Sequence, residues 1–168
     1  RLTAIANHLI AHFASHPKEL GNYRLVIVPC ANPDGAIAGK NAQRSGKNAF
    51  GRCTAAHIDI NRDFGPFKGK ETRALRDFIL RSKPNVYINA HGWLNETLGT
   101  KKLCQIVNRT LHLNKMKDGV YAANEGYAIG WGHKKLNIPC CLLEYKAPNA
   151  LHTKDNVRMI REIIKAYM

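Results

Sequence analysis

Acidic residues are scarce in this chain: 12 Asp and Glu stand against 26 Lys and Arg over 168 residues, a formal net charge of +14. The five cysteines, Cys30, Cys53, Cys104, Cys140 and Cys141, form no C-x-x-C pair, which argues against a zinc ribbon or a thioredoxin-type redox motif. Cys140 and Cys141 sit side by side in an apolar run and read as small core residues. No apolar run approaches the roughly 20 residues that a membrane-spanning helix requires, and Arg1 to Ile10 lacks the pattern of a signal peptide. The basic residues are spread along the chain, with no dense block and no aromatic–basic repeat, so no nucleic-acid partner is expected. The charge reads as a solvated basic surface, with attraction to an anionic substrate or cell wall as the second reading. The cysteines do not fix the compartment; a secreted or cell-envelope setting is favoured over a cytoplasmic one.

What is present is an alternation of helical and extended patterns without repeats, expected to form one domain over 1–168. Leu2, Ile5, Leu9 and Phe13 recur at helical spacing up to Pro17. Tyr23 to Val28 reads as a short strand, and Cys30 to His57, rich in Gly, Asn and Ala, as a long loop. Further helices are expected over Glu71 to Ser82, Lys101 to Leu113, Ile129 to Leu136 and Lys154 to the end. Strands are expected at Val86 to Ala90 and Pro139 to Leu143, and a loop at Lys115 to Gly126. This order implies an α/β fold, a mixed and mostly parallel sheet with helices on both faces. Sites in such folds lie beyond the carboxyl ends of the strands.

Four polar islands stand out in that frame: Asn32-Pro33-Asp34-Gly35, the stretch from Arg52 to Arg62, His91, and Glu144. His91 and Glu144 follow apolar strand patterns, and Asn61-Arg62 follow Ile58 and Ile60, so they too are placed at a strand end. A carboxylate closing a buried strand must be paired, coordinated or functional. A histidine, a carboxylate and two arginines on one edge suit metal-assisted hydrolysis at a peptide carboxy-terminus, and Arg52, Asn61, Arg62, His91, Tyr121 and Glu144 are expected to converge on one cleft. His8 and His12, four apart on a helix, have metal-ligand spacing. Beside an apolar stripe they read as surface or structural histidines.

The chain resembles the zinc metallocarboxypeptidases of the carboxypeptidase A type, in their bacterial branch. Asn32-Pro33-Asp34-Gly35 matches the family's NPDG turn. Arg52 with Ile58-Asp59-Ile60-Asn61-Arg62-Asp63-Phe64 matches its R…(V/I)D(L/I)NRNF element, with Asp63 in place of the second Asn. Glu71-Thr72-Arg73-Ala74-Leu75 resembles the start of the following helix, and His91-Gly92 the third zinc ligand after a strand. Gly130-Trp131 and Glu144 keep the family's interval of 13 residues between that Trp and the catalytic glutamate.

The resemblance implies a zinc ion held in part by His91, with Glu144 as general base and Arg52 stabilising the oxyanion. It implies that Asn61 and Arg62 grip the substrate's terminal carboxylate, that Ile129 lines the pocket for the terminal side chain, and that Asp59 orients the first zinc histidine. Tyr121 is the candidate for the tyrosine that closes over substrate, with Tyr127 as competitor. The implied substrate is a peptide, or a cell-wall peptide, with a free carboxy-terminus. The H-x-x-E in these residues, His16-Pro17-Lys18-Glu19, follows the first helix, whereas the family's zinc motif precedes it, so the other two ligands are expected upstream, and the 168 residues are expected to be a fragment that is inactive alone. Two other readings stay open: an N-acyl amino-acid amidohydrolase of the aspartoacylase type, and a catalytically dead module that binds peptide carboxy-termini.

Overall fold

The computed structural model describes residues 2–44, 51–92, 94–119, 126–146 and 153–167. These form two compact units, one of residues 1–29, 86–120 and 139–168, the other of residues 30–85 and 121–138.

The first unit is built on a four-stranded sheet. Its strands are β1 (Tyr87–Gly92), β2 (Glu96–Gly99), β3 (Lys115–Asp118) and β4 (Cys140–Tyr145), arranged β1-β4-β2-β3. The β1–β4 and β2–β3 pairs are parallel and the β4–β2 pair antiparallel, so the sheet is mixed and mostly parallel, as expected. Alternate residues of a strand face opposite sides. In β4, Cys141, Leu143 and Tyr145 therefore join the apolar core, while Cys140, Leu142 and Glu144 face the other way; all six are buried.

Three helices pack on the core side: α1 (Leu2–Ser15), α4 (Lys101–Leu111) and α6 (Thr153–Tyr167). In α4 the buried residues Leu103, Cys104, Ile106, Val107 and Leu111 follow the helical period, with Lys101, Lys102, Gln105 and Arg109 outside. Burying a side chain such as Leu103 or Val107 contributes about 1.5–3 kcal/mol. Gly99 has φ +148°, and a Cβ there would lie 2.2 Å from the Cys140 carbonyl oxygen. Only glycine lets β2 approach β4 so closely.

The second unit holds α2 (Pro33–Arg44), α3 (Lys70–Ser82) and α5 (Ala128–Leu136), and a cluster of Phe64, Phe67 and Trp131 whose ring centroids lie 5.6–5.8 Å apart. No helix among the described residues is long and apolar enough to cross a membrane.

Several local expectations are corrected. Tyr23 to Val28 is irregular, with no ladder partner among the described residues, so it is not a strand. Leu25 and Ile27 turn toward the core, and Tyr23, Val26 and Val28 are exposed. The expected loop from Cys30 to His57 contains α2. Asn32 caps it, its Oδ1 accepting from Gly35 N at 3.0 Å, and Pro33 takes the first helical position. Gly35, Gly39 and Asn41 weaken helix propensity there and hid the helix from periodicity. Lys115 to Asp118, expected as loop, is β3. Asn61 and Arg62 do not end a strand: Ile60–Arg62 is a 3-10 turn, entered through a single bridge between Cys53 and Asp59.

Candidate active site

His91 and Glu144 are Cα partners on adjacent parallel strands, near the carboxyl ends of β1 and β4. Glu96 of β2 is the antiparallel partner of Glu144 on its other side. Register partners project to the same face, so His91, Glu144 and Glu96 form a row across three strands, opposite the α1/α4/α6 core. Glu144 is 9% exposed, and its Oε2 is buried without a hydrogen-bond partner. Burial pushes its carboxyl above the ordinary range; the Leu94 N–H opposes this, and repulsion by Glu96 adds to it. Glu96 is itself buried and keeps its charge balanced through Lys117 Nζ at 2.9 Å.

Glu96 and Lys117 were not read from the sequence as part of any site. The available signal was a carboxylate between Asn95, which has φ +58°, and the β-branched Thr97. A four-residue strand is too short for that alternation to register.

The second unit organises Arg52, Asp59, Asn61, Arg62 and Ile129. Asp59 holds the loop together: Oδ2 accepts from Arg52 Nε and Nη2, each at 2.7 Å, and Oδ1 accepts from Asn61 N at 3.0 Å. The described contacts of Asp59 thus orient Arg52 and the turn. The Arg52 guanidinium, 65% exposed, has its pKa raised by hydrogen bonding to Asp59 and by that charge. Asn61 Oδ1 accepts from Ala128 N at 3.1 Å and ties the turn to the start of α5. Arg62 lies over the Tyr127 ring at 4.1 Å, and its Nη1 donates to Asn61 O at 2.9 Å. Gly126 makes this possible, since a Cβ there would stand 2.6 Å from Arg62 O. Ile129 is fully buried. Tyr121 lies outside the described residues, whereas its competitor Tyr127 is the ring that meets Arg62.

Asp63 also acquires a local explanation. It accepts from Lys68 N at 3.0 Å and Gly69 N at 2.8 Å, fixing the entry to α3. Burial pushes its carboxyl up, but these N–H groups and Thr72 prevail, and the net shift is downward. His12 of α1 behaves as a structural group: its Nε2 meets Glu19 Oε2 at 2.9 Å and its ring stacks on His16.

Among the described residues no group of three or more His, Cys, Asp or Glu is placed to hold a metal ion. A catalytic zinc takes about three protein ligands. His91 could supply one, so the described residues do not complete a zinc site by themselves.

Fold and row together define a mixed α/β domain with a histidine and a buried carboxylate side by side at the strand ends. A family model described as zinc carboxypeptidase matches residues 2–98, more than half of the chain, and the protein belongs to that family. Across 188 aligned positions it is 29% identical to bacteriocin BCN5 of Clostridium perfringens, an alignment covering 98% of this chain and 20% of that protein.

Among solved structures it resembles murein-tripeptide amidase MpaA from Escherichia coli O157, with a TM-score of 0.58 and 19% identity over 82% of this chain and 66% of that one. A metallo-carboxypeptidase from Burkholderia cenocepacia gives 0.58 and 17% over 84% of this chain and 45% of that one. Bovine thrombin-activatable fibrinolysis inhibitor gives 0.67 and 13% over 98% of this chain and 75% of that one. At these identities the structural likeness concerns the fold. The chain spans about a fifth of the curated relative's length and about two thirds or less of the first solved structures.

Proposed function

We propose that the chain is the catalytic part of a zinc-dependent carboxypeptidase that hydrolyses the carboxy-terminal bond of peptides, with cell-wall peptides as the substrate class. The observation that carries this reading is the register pair of His91 and Glu144, with Glu144 buried and its carboxyl shifted upward. A base poised above the ordinary carboxylate range is suited to take a proton from an attacking water and return it to the leaving amine nitrogen. His91 would supply one ligand to the metal. Zinc, when bound, would acidify that water.

Arg52, fixed by Asp59, stabilises the oxyanion of the tetrahedral intermediate. Asn61 and Arg62 bind the terminal carboxylate, the Arg62 guanidinium lying over the Tyr127 ring, and Tyr127 joins Tyr121 as a candidate to cover it. Ile129, buried in the structure, sits at the position that the resemblance gives to the terminal side chain's pocket, and its apolar character favours uncharged residues there. Cell-wall peptides are supported by likeness to a bacteriocin and to a murein-tripeptide amidase fold, and by a charge of +14 that favours encounter with anionic polymers.

The test is a peptide panel for the full-length protein. Peptides with a free carboxy-terminus should be cleaved at least tenfold faster than their amidated counterparts, with one terminal residue released. Equal cleavage of amidated peptides removes the carboxylate clamp and with it the carboxypeptidase reading. Selective release of N-acyl groups from single amino acids points to the amidohydrolase, and binding without turnover to the inactive module.

A further inference from the structure

Asn95, the residue before β2, has a left-handed backbone with φ +58°. Few residues other than glycine adopt that conformation, Asn being among the more tolerant, and it persists where surrounding contacts hold it. Three hydrogen bonds do so here. Asn95 N donates to Tyr145 O and Asn95 O accepts from Lys115 N, both at 3.3 Å. Asn95 Oδ1 accepts from Asn114 N, also at 3.3 Å. One residue thus ties the end of β4 to the start of β3. The same turn brings the Leu94 N–H to the carboxylate of Glu144, which precedes Tyr145 on β4.

What depends on this tie is the aim of Glu144. Its Oε2 has no hydrogen-bond partner, so bonds to that oxygen do not fix the carboxylate. Its direction is set by the backbone that carries it and by the Leu94 N–H. On the core side the Tyr145 hydroxyl donates to the buried Asn156 Oδ1. That bond holds the ring, and Asn95 holds the main chain. We propose that Asn95 is a positioning residue for the general base: its left-handed backbone clamps β4 at Tyr145 and so keeps the Glu144 carboxylate in its row with His91. The proposal rests on the peptidase reading above and extends it to a residue outside the motifs of the resemblance. A misplacement of about 1 Å can cost about 100-fold in rate. Because Asn95 is not among the groups that grip substrate, its loss falls on kcat rather than KM.

Two substitutions separate backbone from side chain. Asn95→Val disfavours the left-handed conformation strongly. Asn95→Gly accepts it freely, keeping both main-chain bonds and losing only the Oδ1 contact. In the full-length enzyme, with a peptide bearing a free carboxy-terminus, Asn95→Val should lower kcat by about 10- to 100-fold with KM within about threefold. Asn95→Gly should stay within about threefold of the parent in both. Amide hydrogen exchange on the same proteins is the second readout. Asn95→Val should speed exchange at residues 143–145 by about tenfold or more and leave α1 and α6 unchanged, and Asn95→Gly should restore protection. Asn95→Ala, with the same expected direction, serves if the valine variant does not fold. Unchanged exchange in β4, unchanged kcat, or equal losses in the valine and glycine variants overturn the inference. So does faster exchange throughout the protein with kcat and KM altered together, which marks a purely structural role. A parent that cleaves no peptide defeats the peptidase reading instead, and the exchange pattern then decides by itself whether Asn95 fixes the end of β4.

Discussion

The pairing of Glu96 with Lys117 offers a test of how the sheet tolerates two carboxylates side by side. Lys117→Met removes the ammonium 2.9 Å from Glu96 Oε1 but keeps most of the aliphatic stem. At that separation the gross attraction is about 6 kcal/mol with an effective dielectric near 20. Much of it is offset, because the Lys117 side chain is 55% exposed and water screens it. What remains is the loss of a hydrogen bond to a charged group that is only 8% exposed, about 1.5–3 kcal/mol. Urea unfolding at pH 7 should show that deficit. The double variant Glu96→Gln/Lys117→Met, with no charge left in the strand pair, should recover most of it. The argument is refuted if Lys117→Met stays within about 0.5 kcal/mol of the parent, or if the double variant is no better than the single. Because Glu96 repels Glu144, the single variant should also move the acid limb of activity in the full-length enzyme to higher pH.

Glu144→Gln in the full-length enzyme should retain substrate binding and lower turnover by about 100- to 10,000-fold, the usual general-base contribution; a kcat/KM within threefold of the parent removes Glu144 from that role. Burial first, and Glu96 second, raise the Glu144 carboxyl above its unfolded value, so its contribution to stability is present at low pH and lost as pH rises through the folded pKa. Glu144→Gln should therefore be at least as stable as the parent at neutral pH in urea, and a clear loss there contradicts the burial argument. Glu19 has the opposite sign. Its pKa is lowered to about 2 by Arg161 and then His12, so its contribution is present above about 4.5 and lost as pH falls toward 2. Arg161→Met should flatten that acid limb of the urea midpoint, and an unchanged limb rejects the linkage. Zinc titrated calorimetrically into the 168-residue chain should bind weakly or not at all; a tight stoichiometric site would mean that His91 has ligand partners within it.

The order of chemistry along the chain was legible without coordinates. His91 and Glu144 were placed at strand ends because apolar runs precede them, and β1 and β4 carry them there. Helices α1, α3, α4, α5 and α6 were legible because each repeats apolar residues on one face. Helix α2 was not, since its start rests on a side-chain cap at Asn32 and the rest of it lacks an apolar stripe. Tyr23 to Val28 has strand propensity, but propensity describes one chain, and a strand exists only where a second backbone supplies the hydrogen bonds.

Sequence alone therefore determined the residue types, their order, the family and the mixed α/β class, because these follow from local pattern and spacing. Tertiary structure decided which groups meet: Glu144 with His91 on one side and Glu96 on the other, Arg52 with Asp59, and Arg62 with Tyr127. Strand register, helix packing and burial are set by the whole chain at once. Those, more than the identity of any residue, fix which carboxylate is desolvated, which is neutralised and which is left seeking a donor.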